Sequence, residues 1–111
     1  VPTNYAVPIG LRGPGRRTPD TRASLFIRDA LLAEAATLFC RGASSNAAAS
    51  AIYRRLALYR AGAWRRHRAE QQLPPVLVGR IEELLWHVLK ARDVLPSQRS
   101  IRLAIDVAKK R

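Results

Sequence analysis

The sequence is short of the residues that most chemistry needs. It has one cysteine, no methionine, 2 histidines and only 8 acids in 111 residues. A lone cysteine makes no internal disulfide and no Cys-rich zinc site. It fits a reducing compartment, and a cytoplasmic location is expected. No apolar run approaches the roughly 18 residues that span a bilayer, and no charged-then-apolar signal segment opens the chain, so a soluble protein is expected. With no methionine and Val1 first, a trimmed start is expected. The phosphate-cradling and catalytic signatures GxxxxGK with Ser or Thr, GxGxxG, HExxH and GxSxG are all missing. The string from Gly10 to Gly15 has glycines, but Pro14 interrupts it and no strand precedes it. Glu83 and His87 stand one turn apart on a helix, yet two ligands do not make a metal site. Cys40 falls at a helix end, where the dipole disfavours a thiolate, and reads as packing. No cofactor, no metal and no catalytic activity are expected.

What the chain has in excess is positive charge. Lys and Arg number 20, giving a formal +12 and a pI near 11.5. Such a balance favours a polyanionic partner. Hydrophobic residues reach 48%, enough for one modest core, and the length allows one domain.

Residues 1–17 read as an extended or disordered basic arm. Pro2, Pro8, Gly10, Gly13, Pro14 and Gly15 break helix and strand alike. Val1, Tyr5, Val7, Ile9 and Leu11 alternate loosely along it. Arg12, Arg16 and Arg17 could lie on phosphates, as the arms of some DNA-binding domains do; a plain floppy tail fits the same residues.

Residues 18–111 read as an all-α domain of four helices. Thr18-Pro19-Asp20 is a helix start, with a capping hydroxyl, proline at the first position and an acid at the positive dipole end. A first helix from Pro19 to Cys40 follows, with Leu25, Leu32, Ala36 and Phe39 on one face. Ile27, Leu31 and Leu38 widen the arc and predict burial on more than one side. Ser45 or Asn46 is expected to cap a second helix of about 47–70 with the seam Ile52, Leu56, Tyr59 and Ala63. After Pro74-Pro75, the stripe Leu77, Ile81, Leu84, Leu85 and Val88 predicts a third helix over 76–93. Trp86 falls at its border, nearer the polar side, and Arg80, Glu83, His87 and Lys90 stand where they can pair along the helix. Ser97 caps a last helix to Lys109, with Ile101, Ala104, Ile105 and Ala108 inward.

The charge is uneven. Segment 46–70 has six arginines against Glu70, no lysine, and a net +5; segment 94–111 is +4; segment 76–93 is neutral. In the second helix Arg54, Arg65 and Arg68 lie opposite the seam, while Arg55, Arg66 and Arg60 flank it. Arginine grips phosphate with a planar fork, and the interleaved Tyr53 and Trp64 could stack bases. A solvated helix face with the aromatics packed beneath is the plainer reading.

Around residue 97 an apolar helix ends, a four-residue turn follows and a capped helix starts with polar residues. In a helix-turn-helix, Gln98, Arg99 and Arg102 at such a tip would meet base edges or phosphates. The run Pro96-Ser97-Gln98-Arg99-Ser100-Ile101-Arg102 resembles the Pro-Ser-x-x-(Ser/Thr)-Ile-Arg opening of second helices in bacterial helix-turn-helix regulators. The resemblance covers about 20 residues by the motif logic of such readers, and Leu95-Pro96 replaces the usual small turn residue. Two core helices joined by a tight proline turn would produce the same pattern. Tyr59-Arg60, Trp64-Arg65-Arg66, Leu84-Leu85-Trp86 and Pro96-Ser97 are also similar to a pattern in small uncharacterised basic bacterial proteins, a resemblance that transfers no function.

The expectation is therefore a non-catalytic DNA-binding protein of bacterial type, a transcription regulator or mobile-element accessory factor, with RNA possible and a homodimer possible. A protein-interaction module docking an acidic partner, and an RNA-bound structural protein of ribosomal style, remain as alternatives.

Overall fold

The computed structural model describes residues 18–110. The chain is all-α, and among the described residues there is no strand. Helices α1 (Pro19–Phe39), α2 (Ser45–Ala61), α3 (Trp64–His67), α4 (Ile81–Ala91) and α5 (Gln98–Lys109) follow in order. A 3-10 turn at Pro75–Leu77 precedes α4. The arm assigned to residues 1–17 lies outside the described residues.

Local chemistry sets the helix starts. Thr18 accepts from the Thr21 amide and Ser97 from the Ser100 amide, both at 3.1 Å, as their sequences predict. The second cap is Ser44 and not Ser45 or Asn46: its hydroxyl accepts from Ala47 N–H at 3.1 Å. α4 is preceded by Arg80 at its N-cap, which offers no capping oxygen. Glu83 instead reaches back and accepts from Gly79 N–H at 2.8 Å, a variant of the reciprocal box that quiets a helix start.

Glycine makes two of the interruptions. The third helix was expected over 76–93, but Gly79 holds φ at 83°, in the left-handed region, and regular α-helix starts only at Ile81. The second was expected to continue to residue 70. It stops at Ala61, because Gly62 leaves the helical region at φ −111° and ψ −105°, and its N–H divides between Leu58 O and Tyr59 O.

The core is wholly apolar; no polar or charged residue is buried among those described. Leu32, Ile52, Leu56, Leu85, Leu89 and Ile101 are its innermost large side chains. α4 rests mainly on α1, and α5 on α2 and α1, so α1 stands between α4 and α5. The seam Ile52, Leu56, Tyr59 lies inward as read from spacing. The wide apolar arc of α1 does not. Only Leu32, Ala35 and Ala36 are buried, while Ile27, Leu38 and Phe39 are exposed. The small alanines let neighbours approach along one narrow stripe, with Leu31 packed at its edge, and Ile27, Leu38 and Phe39 have no described helix to cover them.

Candidate nucleic-acid interface

The break at Gly62 decides the geometry of the basic segment. A continuous helix would leave Trp64 off the seam, near the arginines, as the sequence suggests. Past Gly62 the chain turns, and Trp64 swings under the backbone to 3% exposure. Its indole N–H donates to Asp93 Oδ1 at 3.0 Å. Trp64 is therefore a floor and not a stacking platform; Tyr53 is half-buried against the core.

Further contacts hold α3 down. Tyr59 Oη and His67 Nδ1 share a hydrogen bond of 3.0 Å. Trp86, expected at a border, is 4% exposed and donates its indole N–H to His67 O at 3.3 Å. Among the described residues Lys90 forms no ion pair along α4. Its ammonium donates to Arg68 O at 3.1 Å and sits 5.3 Å from the Trp86 ring centroid, a cation–π distance. One short turn is thus fixed to α2, to α4 and to Asp93 beyond it. Burial, with a smaller push from the Glu82 carboxylate, raises the Tyr59 phenol to about 12.

On this pinned corner Arg65, Arg66 and Arg68 are exposed. None forms an ion pair among the described residues. Three other arginines of the same segment are occupied. Arg55 bonds Glu82 through Nε and Nη2. Arg60 donates Nε to Asp93 Oδ1 at 3.0 Å and Nη2 to Asp93 O at 3.2 Å. Arg54 is exposed and donates to Ser50 Oγ at 3.0 Å. The six arginines read as one surface in sequence thus divide into two bridges from α2 to the α4 region, one hydroxyl-bound side chain and a free group of three. Lys90 lies beside that group, its ammonium engaged by the Arg68 carbonyl and the Trp86 ring. Its signal in the sequence was Trp86 four residues earlier, a spacing that stacks the two on one helix face.

The other predicted contacts lie on α5. Gln98 and Arg99 are exposed just past the Ser97 cap, and Arg102 reaches Asp106 at 3.4 Å. The connection before them spans residues 92–97, not four. α4 and α5 barely touch, whereas a helix-turn-helix joins its two helices by a turn of roughly 3–4 residues. Leu95 and the buried Pro96 instead seat this connection on the core. Among the described residues no hydrogen bond or ion pair links Gln98, Arg99 or Arg102 to the α3 corner. Arg12, Arg16 and Arg17 lie outside the described residues.

Compared with protein families, with characterised proteins and with solved structures, the chain finds no match.

Proposed function

We propose that the chain is a non-catalytic nucleic-acid-binding protein, with duplex DNA the preferred ligand and a regulatory or mobile-element accessory role. It grips phosphates through Arg65, Arg66, Arg68 and Lys90. The observation that carries the proposal is the free arginine trio on a turn pinned by Trp64, Trp86 and Lys90. Backbone already fixed there need not be ordered on binding, and guanidinium forks with no acid partner among the described residues are available to phosphate. Arg54 and Arg99 extend the contact from α2 and from the α5 tip. Phosphate contacts of this kind position a protein without reading sequence.

The test is duplex affinity as a function of salt. Each neutralised phosphate contributes about −0.9 to the slope of log K against log salt. Arg65→Ala, Arg66→Ala and Arg68→Ala should each reduce the slope by roughly one on any sequence. Affinity independent of salt, or no binding to duplex or single strands, defeats the proposal. Retained binding to an acidic protein alone would transfer the same surface to a protein partner.

A further inference from the structure

Between α1 and α5 lies an open groove of about 290 Å³, walled by Phe26, Ala30, Ala33, Leu103, Val107 and Ala108. Phe26 is 65% exposed there, and Leu103, Val107 and Ala30 are exposed beside it. Single apolar residues on a surface need no partner, but a contiguous group on one groove marks an interface. Arg28 and Asp29, also in the lining, pair with each other at 2.9 Å. The groove itself therefore carries no net charge, in a chain of net +12.

Its two lips differ in sign. On α1, Asp20 and Glu34 stand outside the ion pairs formed among the described residues, against Arg22 alone. On α5, Asp106 is taken by Arg102, which leaves Arg99, Lys109 and the cap residue Lys110 with no free acid. Helical spacing places these charges beside the apolar groups. Glu34 lies one turn past Ala30, and Lys110 one turn past Val107. Ala33 and Ala108 border both this groove and the hollow that continues from it to Cys40. Glu34 and Lys110 thus stand at the same end of the groove, on opposite lips.

We propose that a second copy of the chain covers this groove, in a two-fold dimer whose axis runs along the groove. Such an axis sets α1 of each copy over α5 of the other, and every contact occurs twice. Phe26 of one copy meets Leu103 of the other, and Glu34 of one faces Lys110 of the other. Charge selects this arrangement: an axis across the groove would stack α5 on α5, basic on basic. It also selects the occupant, because the chain's own lips supply both signs. The exposed apolar group is small, so the dimer is of the weak, reversible class. The α3 corner leans on α2 and α4 and takes no part in this face. Each copy therefore keeps Arg65, Arg66 and Arg68 at the surface.

The test is sedimentation equilibrium of the full chain without nucleic acid, so that its outcome is independent of the DNA-binding reading. The mass should rise from one chain of 12.4 kDa toward two as concentration increases. Phe26→Glu should weaken self-association by about tenfold or more. Circular dichroism should show its helices intact, because Phe26 faces mostly solvent. Glu34→Lys and Lys110→Glu should each weaken the dimer, and the two together should restore it, since the pair then meets with its signs exchanged. A chain that stays monomeric at every concentration overturns the proposal. So does a dimer indifferent to Phe26→Glu, or a double reversal no tighter than either single change.

Discussion

Asp93 accepts the indole N–H of Trp64 at 3.0 Å, and the same Oδ1 takes Arg60 Nε at 3.0 Å. One exposed carboxylate thereby satisfies a buried donor and fastens α2 to the connection after α4. Asp93→Ala should cost ~1–3 kcal/mol, because the indole N–H loses its acceptor under the core. Asp93→Asn keeps an oxygen and should cost less. Urea denaturation of both variants separates an acceptor requirement from a charge requirement; equal losses would mean that the charge alone matters.

The arginines of the basic segment should fail in different ways. Arg60→Ala should destabilise the fold by up to ~1 kcal/mol, since its ion pair is half-exposed, and leave the salt slope of DNA binding nearly intact. Arg66→Ala should leave the denaturation midpoint alone and lower the slope. Parallel denaturation and salt titration check both; the reverse assignment would contradict the division into bridges and free forks.

Tyr59 predicts an alkaline limit. Below pH 10 its phenol is protonated in folded and unfolded chains alike, and the advantage of the folded state is complete. Between 10 and about 12 the unfolded chain releases the proton while the folded one keeps it. Stability should fall there with rising pH, by as much as ~1.4 kcal/mol per unit. Tyr59→Phe should be weaker near neutrality, having lost the bond to His67, and should show a shallower alkaline decline. Identical pH profiles for the two proteins would contradict the raised phenol.

The buried indoles predict a spectroscopic silence. Bases cannot stack on Trp64 or Trp86 without unpacking the core, so DNA binding should leave tryptophan emission largely unquenched. Strong quenching at saturation would mean that the α3 corner opens when it binds.

At the α5 tip, Arg99→Ala distinguishes base reading from phosphate contact. With α4 and α5 barely touching, equal loss on a selected site and on scrambled duplex is the expected result, measured by competition. A loss of ~1–3 kcal/mol confined to the selected site would restore a base-reading role.

The caps at Thr18 and Ser97, the seam of α2 and the apolar stripe of α4 were legible because each rests on neighbours in sequence. The α1 arc was not. Whether Ile27 or Phe39 is covered depends on how many helices pack around α1, which its own spacing cannot state. Trp64 was misplaced for a different reason: a helical wheel assumes one axis, and Gly62 ends that axis two residues earlier. The division among the arginines followed from the same limit. Glu82 lies 27 residues from Arg55 and Asp93 lies 33 from Arg60, so those pairs exist only once α2 and α4 are packed.

The place of α1 between α4 and α5 has a consequence in time. Of the described helices α1 is made first, yet its principal neighbours are α4 and α5. Until residues beyond 97 emerge, the 21-residue α1 has one side of its stripe unpaired, with Phe26 and Ile27 already exposed. Domains complete as units during synthesis, and this one is locked by α5: a chain halted near residue 95 would lack the helix that packs on both α1 and α2.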